Sequence, residues 1–261
     1  MSRNSSKNAV TSAPLAGKVA PVTGASRGIG RATALKLGAA GCDIAANYFN
    51  AHDEADSLCA ALTAMGRRAV GLQGNVADPA SVDEIFDGLR KHFDHIDILI
   101  SNAASGVLRP LEEVTLKHWR YCLETNAFAL VLLVQRALKL MPRGARVVAI
   151  SSLGAQRAMP HYGLIGASKA ALESLSRALA YELAPRGVHV NVVSGGVVET
   201  DALNAFPMRR QIVAGFKRRS LARRALRAEE IADAVYLLCL PEAEMVNGHT
   251  VVVDGGFSIA E

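Results

Sequence analysis

Thr23-Gly24-Ala25-Ser26-Arg27-Gly28-Ile29-Gly30 is the stretch on which the reading of this chain turns. A β-branched run, Val19–Thr23, leads into it and a helical pattern, Gly28–Ala40, leads out. Glycine lacks the Cβ that would obstruct a tight turn or the close approach of an anion to the backbone. The helix that follows directs unpaired N–H groups back toward the turn, where a phosphate would sit. Alone, such a turn is an ordinary strand-to-helix connection. Placed at the head of a complete β–α alternation, it reads as a pyrophosphate-binding loop.

Outward from the turn the alternation continues. Further β-branched runs occupy Asp43–Asn47, Ala69–Gln73, Ile96–Ile100, Arg146–Ser151, Val188–Val193 and Thr250–Val253. Between them lie helical patterns at Ala51–Met65, Pro79–Phe93, Leu116–Leu140, Tyr162–Ala184 and Ala228–Leu240. Strands buried on both faces read as continuous apolar runs, as a parallel sheet covered by helices requires. The expectation is α/β: a single doubly wound domain with a seven-stranded parallel sheet over residues 15–261, behind a flexible tail, 1–14. One stretch breaks the alternation. Residues 200–227 follow the sixth strand and read as a substrate lid or binding insertion.

The bulk composition narrows the class. The chain has 261 residues, half of them hydrophobic, with 20% charged and 5% aromatic, which suits a globular enzyme rather than a disordered or fibrous chain. Its longest apolar stretch, Ala127–Val134, is far short of a membrane span, so no membrane partner is expected. Met1–Pro14 is polar and lacks the apolar core of a secretory signal. Cys42, Cys59, Cys122 and Cys239 are scattered without metal-type spacing, as expected of buried thiols in a reducing cytoplasm. A net charge of +5 without interleaved aromatics gives no reason to expect nucleic acid.

Ser101-Asn102-Ala103-Ala104 after the fourth run and Asp254-Gly255-Gly256 near the end complete a set of ordered motifs. With the glycine turn, they resemble the short-chain dehydrogenase/reductase family over nearly the whole chain. The resemblance implies a Rossmann fold and a nicotinamide cofactor held by Gly24, Ser26, Arg27, Gly28, Ile29 and Gly30, then Asn75 and Val76, then Asn102 and Ala103. Lys169, Gly196 and Thr200 complete that implied set. Asn75 stands where the family often has Asp, and Ser101 where it often has Asn. The second strand ends Ala46-Asn47-Tyr48-Phe49-Asn50, with no acid to hold a ribose diol. Arg27 is instead placed to pair with a 2′-phosphate, so NADPH is expected.

The catalytic spacing is unusual. Most of the family carries Tyr, three residues, then Lys, but four residues before Lys169 this chain has Ile165, which has no hydroxyl. Tyr162 lies upstream with six residues between it and Lys169, a spacing that resembles the enoyl-acyl-carrier-protein reductases. An enoyl reductase delivers hydride to Cβ and must stabilise an enolate oxygen farther along the substrate, so its hydroxyl needs displacement. Three helical residues correspond to about 4.5 Å of rise. Asn102–Pro110, Ser151–Gly154, Thr200–Leu203 and Phe206-Pro207 resemble the NADPH-dependent type III enzymes, and Gly195 replaces a proline common in ketoreductases. The resemblance implies that Tyr162 stabilises the enolate and that Lys169 holds the nicotinamide ribose. Ser152 occupies the family serine position, orienting substrate or bonding to backbone. Asn126 matches the helix asparagine that supports a water beside the lysine; a helix-bending structural role is its other reading.

Between Ala202 and Ala228 there are eight bases and no acids: Arg209, Arg210, Lys217, Arg218, Arg219, Arg223, Arg224 and Arg227. Such a segment suits an acidic acyl carrier protein, and equally a solvated helical face. The family resemblance implies a homotetramer. The leading expectation is a trans-2-enoyl-acyl-carrier-protein reductase of fatty acid synthesis or a related pathway. A ketone or imine reductase of specialised metabolism is the alternative, and a catalytically silent dinucleotide-binding partner protein is a third reading.

Overall fold

Short runs of valine, isoleucine and alanine form the strands, and their burial on both faces shows why the runs are continuous. The structure, a computed structural model, describes residues 13–204 and 209–260. In chain order the main elements are β1 (Val19–Val22), α1 (Gly28–Ala39), β2 (Asp43–Tyr48), α2 (His52–Ala64), β3 (Ala69–Gln73), α3 (Pro79–Arg90) and β4 (Ile98–Ser101). There follow α4 (Leu116–Leu123), α5 (Ala129–Ala137), β5 (Arg146–Ser152), α6 (Gly163–Leu183) and β6 (His189–Gly195). The chain then forms α7 (Asp201–Asn204), α8 (Arg209–Arg219), α9 (Ala228–Cys239) and β7 (Thr250–Val253). Of the expected N-terminal tail, residues 1–12 lie outside the described residues, as does Phe206-Pro207.

The seven strands are all parallel, in the order β3-β2-β1-β4-β5-β6-β7. Strand order therefore reverses between β1 and β4, and a crevice opens at their carboxyl ends. Both the glycine turn and Asn102 emerge there, with Val22 of β1 in register with Ile100 of β4. Phe86, Leu130, Leu133 and Leu172 cover one face of the sheet, from α3, α5 and α6. Leu37, Leu58, Ile231 and Val235 cover the other, from α1, α2 and α9.

Leu116–Leu140 is not one helix. α4 ends at Leu123, a π turn spans Glu124–Phe128, and α5 ends at Ala137. The widened turn carries Asn126, whose buried amide bonds outside its own helix, and such turns gather at functional sites. α6 begins at Gly163 rather than at Tyr162, which becomes its N-cap residue. The fourth strand starts at Ile98, and just before it the Asp97 carboxylate accepts from Val19 N at 3.0 Å and from Lys18 Nζ at 2.8 Å.

Candidate active site

The glycine turn is shaped by sterics. Gly24 and Gly28 have φ of +61° and +54°, and a Cβ on Gly30 would fall 2.2 Å from the Gly24 carbonyl oxygen. Arg27 caps α1 in an extended conformation without a side-chain cap bond, and the first turn carries no acid. The first amides of α1 therefore face the crevice as donors for an anion. The Arg27 side chain is exposed, and Ser26 is buried beside it. Thr200 closes over the turn, its methyl 3.5 Å from the position of a Cβ on Gly28.

Two asparagines fasten this loop. Asn102 Nδ2 donates to the carbonyls of Thr23 (2.8 Å) and Gly24 (3.1 Å), while Asn102 N and Ala103 N both donate to Thr23 Oγ1. The Asn102 side-chain amide and backbone N–H thus both hold the turn. Asn47, which the sequence reading noted only for its lack of charge, is 4% exposed. It donates to the Leu72 and Gly74 carbonyls at 3.1 Å each and accepts from Gly24 N at 3.4 Å, tying three strand ends together. Its signal was a lone amide within an apolar strand. Asn75 accepts from Ala77 N at 3.0 Å, Val76 is buried beside it, and Gly196 donates its N–H to Val253 O at 2.9 Å beneath Phe216.

The end of β5 faces α6 with three consecutive residues in use. The Ile150 carbonyl accepts from Lys169 Nζ at 2.7 Å, Ser151 Oγ donates to Glu173 Oε1 at 2.7 Å, and Ser152 Oγ lies 3.1 Å from the Tyr162 hydroxyl. The Tyr162 ring lies against Gly154, where a Cβ would come within 2.3 Å of ring carbon Cε1. The Tyr162 carbonyl accepts from Gly166 N at 2.7 Å, entering the first turn of α6. Before it, His161 takes φ of +61°, uncommon for a residue with a Cβ, and its carbonyl accepts from Arg109 N at 3.1 Å.

Burial pushes the Tyr162 phenol above its usual range, so it remains protonated. Lys169 is 5% exposed, and desolvation brings its ammonium down to about 8, against the opposing pull of the Glu173 carboxylate. Ile165, four residues before Lys169, packs against Gly106. A Cβ on Gly106 would fall 2.4 Å from Ile165 Cγ1, so hydrocarbon fills that position.

Asn126 does not bond to Lys169. Its Oδ1 accepts from Ser105 N and its Nδ2 donates to Ser105 O, both at 2.8 Å, and Nδ2 also reaches Ser168 Oγ at 2.9 Å. The amide clamps the loop after β4 onto the helices. Of the expected site, the structure pairs Ser152 with Tyr162, sets Lys169 against the Ile150 carbonyl two residues before Ser152, and places Asn126 on Ser105 and Ser168. Beside Tyr162 lies a cavity of about 410 Å³ lined by Arg109, Leu111, Gly154, Met159 and His161.

The basic segment is partly neutralised by acids outside it. Lys217 pairs with Glu199 at 3.3 Å, and Arg224 and Arg227 both reach Glu230. α8 is anchored rather than loose: Phe216 is buried and stacks on Phe257 with centroids 4.9 Å apart. Among the described residues there is no cluster of metal-ligating side chains, and no helix is long and apolar enough to cross a membrane.

A family model described as enoyl-(acyl carrier protein) reductase matches residues 24–258. The chain belongs to the short-chain dehydrogenase/reductase family. Members of this family are oxidoreductases, and their fold is the one described above. The 1-cyclohexenylcarbonyl-CoA reductase of Streptomyces collinus is 36% identical over 249 residues, covering 93% of this chain and 87% of that protein. A short-chain dehydrogenase from Burkholderia cenocepacia J2315, solved with NADP, is 34% identical, with a TM-score of 0.87 over 94% of this chain and 99% of that one. An angucycline C-6 ketoreductase, also with NADP, is 33% identical, with a TM-score of 0.88 over 95% and 98%.

Proposed function

We propose that this short-chain dehydrogenase/reductase reduces the carbon–carbon double bond of a trans-2-enoyl thioester with NADPH, as an enoyl-acyl-carrier-protein reductase. One observation carries the reading: the hydroxyl paired with Ser152 belongs to Tyr162, while the position four residues before Lys169 is filled by Ile165 packed on Gly106. The glycine turn, the uncapped amides of α1 and the exposed Arg27 fit a dinucleotide bearing a 2′-phosphate. NADP and NADPH in neighbouring structures support that choice.

When bound, NADPH supplies the hydride. The chain's residues do the rest. Tyr162 donates its hydroxyl hydrogen bond to the thioester carbonyl oxygen, on which negative charge grows as Cβ is reduced. Ser152 Oγ, 3.1 Å away, holds the phenol in that direction. Lys169, anchored to the Ile150 carbonyl, would hold the nicotinamide ribose hydroxyls. Asn126 keeps the loop after β4 closed against α6.

Arg209, Arg210, Arg218 and Arg223 are exposed and make no ion pair with a carboxylate among the described residues, which supports docking of an acidic carrier protein. The Streptomyces collinus relative is named for a coenzyme A ester, so the carrier is tested directly. Charge reversal at Arg210 and Arg218 is expected to raise KM for the carrier-bound substrate more than for the coenzyme A ester; equal effects reject the docking. Exposed Leu116, Trp119 and Tyr121 on α4 support self-association, as in a homotetramer.

A second reading, ketone reduction, is favoured by the likeness to the angucycline ketoreductase. Steady-state NADPH oxidation separates the two. Turnover of a crotonyl thioester in preference to an acetoacetyl thioester is expected; the reverse preference overturns the enoyl assignment.

A further inference from the structure

Glu173 is a buried acid outside the proposed chemistry. It lies on α6 one turn beyond Lys169 and is 5% exposed. Carboxylates are rarely that buried without a set of partners, and here the partners come from one short segment. Ser151 Oγ donates to Oε1 at 2.7 Å and Gln156 Nε2 donates to Oε2 at 3.4 Å. Between those two donors lie Ser152, which meets the Tyr162 hydroxyl, and Gly154, against which its ring rests.

We propose that Glu173 is a positioning residue: its carboxylate staples the Ser151–Gln156 turn to α6 and supplies the counter-charge for Lys169. The inference rests on the assignment of Tyr162 and Lys169 but not on which thioester or ketone is reduced. Two mechanical consequences follow from one side chain. Holding the turn fixes the Ser152 hydroxyl relative to the phenol. Placing negative charge one turn from a desolvated ammonium favours its charged form.

The groups that bear on Lys169 are few. From α4 the Cys122 thiol faces it, and burial keeps that thiol protonated. From α6 come Glu173 and, at the cap, the neutral Tyr162 phenol. β5 contributes the Ile150 carbonyl, and the π turn contributes the Asn126 amide, neither of which titrates. Cys122 being neutral, Glu173 is the anion whose removal Lys169 would register.

Two variants separate the roles. Glu173→Gln keeps the size and an acceptor for Ser151 while removing the charge; Ser151→Ala loosens the turn and keeps the charge. The readout is NADPH affinity by fluorescence on either side of pH 8, near the Lys169 transition, with thermal melts to establish folding. In Glu173→Gln, the pH at which affinity is lost is expected to move down by on the order of one unit. In Ser151→Ala, it is expected to stay in place while kcat falls several-fold. A Glu173→Gln profile that coincides with wild type overturns the proposal, as does a Ser151→Ala variant with unchanged kcat. Because cofactor affinity is read without substrate, failure of the enoyl assignment would leave the Glu173 result standing.

Discussion

The Ser152 and Tyr162 hydroxyls stand 3.1 Å apart across the junction of β5 and α6, joining the family's serine to a phenol three residues ahead of its common position. The serine thus keeps a phenolic partner even though Ile165 provides none. Removing the serine hydroxyl should misalign the phenol without touching the cofactor loop. Ser152→Ala is expected to lower kcat about fivefold, in line with one lost neutral hydrogen bond of roughly 1 kcal/mol, and to leave the NADPH dissociation constant unchanged. Steady-state kinetics with parallel cofactor titration check this.

Lys169 sets the pH response. Its ammonium titrates near 8 in the fold against an ordinary value of 10.5, so activity should decline above pH 8 as the cation is lost. Stability runs the other way. Between the folded value of about 8 and 10.5 the unfolded chain binds more protons than the folded one, so the cofactor-free protein should gain stability as pH rises through that window. Lys169→Met should abolish turnover yet raise the melting temperature of the cofactor-free protein at neutral pH. A lower melting temperature in that variant would contradict the account.

Arg27 should distinguish the cofactors. An exposed guanidinium at the mouth of the glycine turn contributes only when a 2′-phosphate is there to meet it. Arg27→Ala is expected to reduce kcat/KM for NADPH by about tenfold or more and to leave NADH kinetics nearly unchanged. Comparable losses with both cofactors would place the arginine on the shared pyrophosphate.

Arg146 opens β5 at the end of the sheet remote from the site. It is 7% exposed, its Nε and Nη1 have no hydrogen-bond partner among the described residues, and burial lowers its pKa. Leaving buried donors unsatisfied costs about 1–3 kcal/mol, so Arg146→Leu is expected to be neutral or stabilising in chemical denaturation. Destabilisation by more than about 2 kcal/mol would show that the arginine has a partner in solution.

The sheet was legible because its inner strands, buried on both faces, are continuous apolar runs, and because the glycine turn and Asn102 mark the two strands at which the order reverses. The roles of Tyr162 and Lys169 came from the family resemblance, to which the spacing between them pointed. Other features were not legible, for physical reasons. The π turn at Asn126 is a local widening that leaves the apolar periodicity of Leu116–Leu140 intact. Asn47 and Glu173 act through partners distant in sequence, at Leu72, Gly74 and Ser151, which no local pattern reveals. The basic segment looked uniformly charged because its neutralising acids, Glu199 and Glu230, lie just outside it.

The displaced phenol is tested most directly by single-turnover NADPH oxidation with a crotonyl thioester, comparing wild type with Tyr162→Phe. Loss of one oxyanion-stabilising donor predicts a rate reduced by roughly 10²–10³-fold, with NADPH affinity retained. A Tyr162→Phe rate equal to that of wild type would contradict the assignment.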